Sequence, residues 1–129
     1  MKPRILIVDD DEAITRQLLW ILNEDYDVVT ANDMKTAVRQ AKIHEPAVSI
    51  VDLHLPPKVN TPEIGLRVMD YIKGHLPKSK VLVITEITGM REQEACYSIG
   101  ADAFLAKPFE TELLLSTMRK MVPRKLDLA

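Results

Sequence analysis

The sequence predicts an α/β domain in which a doubly wound parallel sheet is covered by helices on both faces. Three observations lead to this fold class: short apolar runs alternate with helical patterns, several runs are apolar at consecutive positions, and the connections are mostly short. Strands that are apolar on both sides are typical of a parallel sheet buried between two layers of helices. Right-handed crossovers between parallel strands then restrict the topology to a doubly wound sandwich.

Five short runs rich in β-branched residues predict the strands. These runs cover residues 4–8, 26–30, 47–51, 80–84 and 103–105. Apolar residues at helical spacing predict a helix after each strand. These helices cover residues 12–23, 34–43, 63–73, 91–99 and 110–121. The chain therefore consists of five consecutive βα units.

Residues at the helix ends refine these boundaries. Asp11 precedes the first helix and is expected to cap it, and Gly74 and Gly100 are expected to close the third and fourth helices. Trp20 lies near the apolar stripe of the first helix, so we expect it to be buried or half-buried. Pro123 limits the last helix. We accordingly assign residues 1–123 to the domain and residues 124–129 to a tail or the start of a linker.

Length and composition narrow the possible functions. The 129 residues suit one domain, and 47% hydrophobic with 28% charged residues is a globular composition. A formal net charge of −2 gives no reason to expect nucleic-acid binding or attachment to an anionic membrane. The single cysteine, Cys96, excludes an internal disulfide and a cysteine metal cluster. Because no apolar run is long enough for a signal-peptide core or a membrane span, we expect a cytoplasmic domain.

Polar residues follow four of the five predicted strands. Asp9 and Asp10 follow the first strand, Asp52 the third, Thr85 the fourth, and Lys107 comes soon after the fifth. Ligands of open α/β sheets bind outside the carboxyl ends of the strands, so we expect these side chains to converge there.

The chemistry of this set points to phosphoryl transfer. Clustered carboxylates repel one another unless a cation is present, and oxygen ligands without a His/Cys cluster favour Mg²⁺ over Zn²⁺. A carboxylate beside a divalent ion and a lysine is a competent nucleophile toward phosphorus and would form an aspartyl phosphate.

At these residues the sequence resembles the receiver domains of two-component response regulators. The matching segments are residues 7–12, 51–56, 83–85, 100–105 and 107–109, and the resemblance covers essentially the whole chain. It implies a flavodoxin-like (βα)5 sheet with strand order 2-1-3-4-5. It also implies a signalling domain, phosphorylated by a histidine kinase or a phosphotransfer protein, whose only reactions are its own phosphoryl transfer and dephosphorylation.

The resemblance assigns a role to each residue of the set. Asp52 would be the phosphoacceptor, and Lys107 would contact the phosphoryl group. Asp9, Asp10 and Asp52 would bind Mg²⁺, directly or through water, together with the backbone carbonyl of His54.

The same resemblance implies a switch. Thr85 would hydrogen-bond the phosphoryl group after transfer, and Phe104 would swing inward when Thr85 moves. The peptide bond before Pro108 would be cis. The surface of the fourth helix, fifth strand and fifth helix would then change, control a downstream output and, in many such domains, form a homodimer.

Two features depart from the usual pattern of that family. The loop of residues 53–62 is longer than usual and carries Pro56, Pro57 and Pro62. Glu86 occupies a position that is usually small, where its carboxylate either hinders donors and hydrolytic water or points to solvent. The loop and residues 17–20 are also similar to receivers of sigma-54-type transcriptional activators, which favours an output in transcription.

Three other function classes compete with this interpretation. A phosphorylation-independent interaction module of flavodoxin-like fold remains open because of Glu86. A haloacid-dehalogenase-like phosphatase would need a second acid two residues after Asp52, where His54 stands. A flavin binder would need a Ser/Thr/Gly-rich phosphate loop after the first strand, where residues 9–12 are all acidic.

Overall fold

The computed structural model describes residues 2–86 and 89–122. Strands and helices alternate along the chain as the sequence predicts. They are β1 (Arg4–Val8), α1 (Glu12–Leu22), β2 (Asp27–Ala31), α2 (Met34–His44), β3 (Val48–Val51), α3 (Glu63–His75), β4 (Lys80–Thr85), α4 (Met90–Ile99), β5 (Ala103–Ala106) and α5 (Thr111–Met121).

The strands form one parallel sheet in the order β2-β1-β3-β4-β5, which confirms the predicted topology. The register aligns the carboxyl ends of the central strands. Val8, the last residue of β1, pairs with Ala31 of β2 on one side and with Val51 of β3 on the other. The residues that follow β1 and β3 therefore emerge at the same edge.

Two apolar layers enclose the sheet and explain why its strands are apolar at consecutive positions. In β1, Leu6 and Val8 pack into the layer beneath α2, α3 and α4, whereas Ile5 and Ile7 pack into the layer beneath α1 and α5. All four side chains have no measurable exposure. A strand buried on both faces leaves no place for a charged side chain in its interior, although β3 buries the small polar Ser49 there, so charged residues such as Asp9 and Asp52 come only where β1 and β3 end.

The helix ends agree with the sequence at two of three predicted caps. The Asp11 side chain accepts hydrogen bonds from the backbone N–H groups of Ala13 and Ile14, and Gly100 closes α4 with a positive φ of 121°. The prediction for Gly74 is wrong, because α3 continues to His75. Gly74 lies within the last turn and needs no left-handed conformation, so nothing ends the helix there.

The expected burial of Trp20 is also wrong, since its relative exposure is 89%. The buried residues of α1 are Leu18 and Leu22, four positions apart on one face. Trp20 lies two positions from each, which places it on the opposite side of the helix.

The predicted tail, residues 124–129, and the proposed boundary at residue 123 lie outside the described residues. Within residues 2–86 and 89–122, no helix is long and apolar enough to cross a membrane.

Candidate functional site

A cavity of ≈ 390 Å³ opens at the carboxyl end of the sheet. It contains most of the polar residues that the sequence predicts to converge. Its lining residues are Asp10, Asp11, Asp52, His54, Val59, Asn60, Thr85, Glu86 and Lys107.

The hydrogen bonds of the sheet continue one residue beyond β1 and β3, and this places the acids. The Asp9 N–H donates to the Ala31 carbonyl at 3.1 Å, and the Asp52 N–H donates to the Val8 carbonyl at 2.9 Å. Asp9 and Asp52 are thereby held buried at the edge, while Asp10 is exposed beside them. One carboxylate oxygen from each of the three residues lies within 4.8 Å of the others.

Lys107 reaches this cluster from the loop after β5. Its Nζ lies 2.8 Å from Asp9 Oδ2 and 3.3 Å from Asp52 Oδ2. The Lys107 N–H donates to the Thr85 carbonyl at 2.9 Å, which fixes the start of the loop against the end of β4. The peptide bond between Lys107 and Pro108 is cis.

The electrostatics of the cluster are unbalanced. Burial raises the pKa of Asp9, and the hydrogen bond from Lys107 and the N–H of Asp11 offset this only in part. Burial acts to lower the pKa of Lys107, but its hydrogen bond to Asp9 and the charges of Asp52 and Asp9 outweigh burial and raise that pKa. The lysine is therefore a firmly charged ammonium at neutral pH, and Asp9 is a carboxylate that burial disfavours.

The donor set fits a hard divalent cation. Asp9, Asp10 and Asp52 offer only oxygen atoms, and the cluster contains no imidazole or thiolate among the described residues. Such a set matches Mg²⁺, which prefers a few carboxylates and keeps several waters. A cation would also relieve the unfavourable burial of the Asp9 charge.

Thr85 lines the cavity at the end of β4, and Phe104 lies on the neighbouring strand β5. Thr85 is fully buried, and its hydroxyl has no hydrogen-bond partner among the residues that the structure describes. Phe104 on β5 is half-buried and packs against the apolar layer beneath α2, α3 and α4. The hydroxyl beside the cavity is thus available for a bond to an incoming group.

A close approach of α3 sets the position of the chain after Asp52. A Cβ atom added to Gly65 would lie 2.6 Å from the Leu53 carbonyl oxygen and 2.7 Å from that of Asp52. The Gly65 N–H donates to the same Leu53 carbonyl at 3.0 Å. Only glycine allows the helix to lie this close to the backbone of the candidate acceptor.

The sequence did not identify two residues of the cavity, Val59 and Asn60. They lie in the proline-rich loop, which turns back so that both residues line the cavity together with Asp52. The unusual loop length was the only signal in the sequence, and it does not specify which loop residues face the site.

Glu86 lies at the mouth of the site. The residue is exposed, yet it lines both the acidic cavity and a neighbouring one that it shares with Ile14, Lys107 and Pro108. The structure therefore places Glu86 at the rim, accessible to solvent and beside the path into the cavity.

Comparisons with known proteins agree with this geometry. Residues 5–119 match the response regulator receiver domain family. The chain is 33% identical over 125 residues to response regulator MprA and 32% identical over 121 residues to transcriptional regulatory protein KdpE, both from Mycobacterium tuberculosis. These matches cover 96% and 93% of this chain but 52% and 51% of the relatives, so the chain spans about half their length.

Among solved structures, the fold is similar to a CheY-like response regulator receiver domain protein from Methanospirillum hungatei JF-1. The TM-score is 0.85 at 26% sequence identity, and the match covers 93% of each chain. The chain therefore belongs to the receiver domain family of two-component response regulators. Members of this family are signalling domains, bind Mg²⁺ in an acidic pocket and are phosphorylated by histidine kinases.

Proposed function

We propose that this receiver domain accepts a phosphoryl group on Asp52 from the phosphohistidine of a histidine kinase or a phosphotransfer protein. The observation that carries the proposal is the setting of the Asp52 carboxylate. It lines an open cavity, lies 3.3 Å from the ammonium of Lys107 and shares a cluster with Asp9 and Asp10.

The transfer step uses Asp52 as the nucleophile. A carboxylate oxygen forms a new bond to phosphorus while the bond between phosphorus and the donor imidazole nitrogen breaks. That nitrogen retains the electron pair, and the product is an acyl phosphate on Asp52. Dephosphorylation then transfers the phosphoryl group to water and regenerates the carboxylate.

Asp9, Asp10 and Asp52, together with the backbone carbonyl of His54, would bind Mg²⁺. When bound, the ion supplies positive charge that offsets the charge on the phosphoryl oxygens. Asp9 and Asp52 are held in place by sheet hydrogen bonds to Ala31 and Val8, so this acidic rim is largely preorganised.

Lys107 supplies the second positive charge. Its ammonium divides its contacts between Asp9 and Asp52. Once Asp52 carries the phosphoryl group, the same ammonium can contact a phosphoryl oxygen after a small movement. An added group that bears nearly two negative charges and several acceptor oxygens favours that contact.

The signal then passes through Thr85 and Phe104. The buried Thr85 hydroxyl donates a hydrogen bond to a phosphoryl oxygen, and its movement allows Phe104 to move inward. These shifts change the surface of α4, β5 and α5. Three large apolar residues on α4 and α5 are about half exposed or more: Met90, Tyr97 and Leu113. Such exposure suits a surface that binds another protein, including a second copy of this domain.

The output of this domain is proposed from the length of its relatives. We propose that residues 1–123 form the receiver and that residues 124–129 are a tail or the start of a linker. Since the chain spans about half the length of MprA and KdpE, we propose regulation of transcription as the output where the full-length protein carries an effector. We place this phosphorelay in the cytoplasm, where histidine kinases present their phosphohistidine.

Glu86 modulates the rate at the mouth of the site. Its carboxylate stands at the rim of the cavity that an anionic donor must enter. Repulsion therefore slows phosphorylation by small anionic donors.

The decisive experiment incubates the protein with acetyl phosphate and Mg²⁺ and measures its intact mass. We expect one phosphoryl group on the wild type, none on Asp52→Asn, and wild-type labelling of Asp70→Asn, which removes an exposed carboxylate on α3. Labelling that persists in folded Asp52→Asn would show that another residue is the acceptor. A folded wild type that takes no phosphate would favour a phosphorylation-independent interaction module.

A further inference from the structure

We propose that the proline-rich loop forms a wall of the phosphorylation cavity that selects phosphodonors by the size of their leaving group, and that His54 is the positioning residue of this wall. The inference rests on the proposed function, because it concerns access to Asp52. The wall consists of Val59 and Asn60, which line the same cavity as Asp52 and Lys107.

The loop is folded against itself. The Lys58 N–H donates to the Leu55 carbonyl at 3.2 Å, and the Thr61 N–H donates to the Lys58 carbonyl at 3.1 Å. The Lys58 ammonium pairs with Glu63 at the start of α3 at 2.8 Å. These two turns and the ion pair return the chain to the cavity.

His54 connects this folded loop to the acceptor strand. Its Nδ1 lies 2.8 Å from the Val59 carbonyl oxygen. Because a carbonyl only accepts, Nδ1 is the donor in this bond. Leu53 and Leu55 on either side of His54 are fully buried, so the backbone of His54 is anchored. The wall is therefore attached to a fixed point two residues from Asp52.

The imidazole is also confined on its other side. His54 Nε2 faces Glu92 Oε2 of α4 at 3.8 Å, and the histidine side chain is only 13% exposed. Neither atom has a hydrogen-bond partner within the part of the chain that the structure describes. The ring thus lies between the wall and α4, and it has little freedom to release Val59.

The position of the wall has a chemical consequence. A donor must bring its phosphorus to the Asp52 carboxylate while its leaving group remains in the cavity. The leaving group is ammonia for phosphoramidate and imidazole for phosphoimidazole; in each case the bond from phosphorus to nitrogen breaks, and the nitrogen retains the electron pair. A fixed Val59 and Asn60 leave less room for the larger group. A kinase overcomes this restriction with binding energy from its own contacts.

The test compares the two donors by intact-mass kinetics in the presence of Mg²⁺. For His54→Ala, which releases the wall, we expect the ratio of the phosphoimidazole rate to the phosphoramidate rate to rise about tenfold. His54→Asn retains an N–H donor near the position of Nδ1 and should keep the wild-type ratio. His75→Ala is the matched control, since His75 Nδ1 also donates to a backbone carbonyl, that of Tyr71, away from the cavity.

Binding of beryllofluoride with Mg²⁺ reports whether the acceptor pocket is intact in each variant. If His54→Ala fails to fold, Val59→Gly trims the wall directly and should raise the same ratio. An unchanged ratio in a folded His54→Ala or Val59→Gly variant would contradict the proposal that this wall selects phosphodonors by size. A wild type that takes phosphate from neither donor would instead contradict the proposed function itself.

Discussion

The two ends of the sheet use the same kinds of residue with opposite electrostatic results. At the amino end, Asp102 accepts hydrogen bonds from Lys73 Nζ at 2.8 Å and from the Val81 N–H at 2.9 Å. Burial acts to raise its pKa, but these bonds and the charges of Lys73 and Lys80 outweigh burial and lower it. At the carboxyl end, Asp9 also has a lysine at 2.8 Å, yet its pKa is raised.

The difference lies in the balance of charge around each acid. Asp102 faces two lysines, whereas at the other end the single ammonium of Lys107 is shared by Asp9 and Asp52. The charge of Asp102 at the amino end is thus more than neutralised within the chain, and its contacts contribute to stability. The carboxyl end retains an excess of negative charge, which suits a site that takes up a cation and then a phosphoryl group.

The largest effect is expected from the packing that holds the carboxyl end in place. Gly65→Ala should lower the free energy of unfolding by about 3 kcal/mol, because the new Cβ would meet the backbone of Asp52 and Leu53. Gly74→Ala, in the same helix, has open space around its Cβ and should raise that free energy by about 0.5 to 1 kcal/mol. Urea denaturation measures both, and equal effects would mean that α3 does not closely approach Asp52.

The second prediction concerns the neutralised end. Asp102→Ala should cost about 2 kcal/mol, since it leaves Lys73 and the Val81 N–H without their charged partner. The folded pKa of Asp102 is lowered, so its stabilisation is present above the unfolded pKa and is lost as pH falls through the folded pKa. Denaturation curves at several pH values should therefore show that the gap in free energy of unfolding between Asp102→Ala and the wild type becomes smaller in acid. A gap that widens in acid would contradict this assignment.

The third prediction is that removing a buried acid at the candidate site increases stability, the opposite of the effect expected at Asp102. Without Mg²⁺ at neutral pH, Asp9→Asn should be more stable than the wild type by about 1 kcal/mol, because it removes a carboxylate whose burial is unfavourable. Because the pKa of Asp9 is raised in the folded state, the wild type loses stability as pH rises through that pKa. The stability advantage of Asp9→Asn should therefore grow with rising pH. Adding Mg²⁺ should raise the Tm of the wild type more than that of Asp9→Asn. Equal shifts would remove Asp9 from the proposed ligands.

The smallest effect is expected from the exposed rim. Glu86→Gln should speed phosphorylation by acetyl phosphate by about twofold, since one solvent-screened charge contributes little. The difference should fade at high salt. A rate that is unchanged at low salt would mean that Glu86 points to solvent and does not influence the cavity.

Much of the fold could be predicted because the strands carry their own signal. Runs of consecutive apolar residues, such as residues 5–8, are typical of strands buried on both faces, and this requires helices on both sides of a parallel sheet. The convergence of Asp9, Asp10, Asp52 and Lys107 followed from the rule that parallel strands end at one edge.

The errors arise where a residue's environment depends on other elements. Trp20 is the exception, because its spacing of two residues from both Leu18 and Leu22 already places it on the exposed side of α1. Gly74 resembles a helix terminator, but α3 continues through it to His75. Val59 and Asn60 enter the cavity only because the loop turns back onto His54.

The sequence by itself determined which strands end in polar residues and which residue types meet at the carboxyl edge of the sheet. The alternation of strands and helices, the burial of apolar runs and the chain connectivity are local or nearly local properties, so the sequence carries them directly. Only the tertiary structure decided that burial raises the pKa of Asp9, that contacts with lysines lower the pKa of Asp102, and how closely α3 approaches the backbone after Asp52. Those outcomes depend on distances of a few ångströms between segments remote in the chain, and both Coulomb energy and steric repulsion change steeply over such distances.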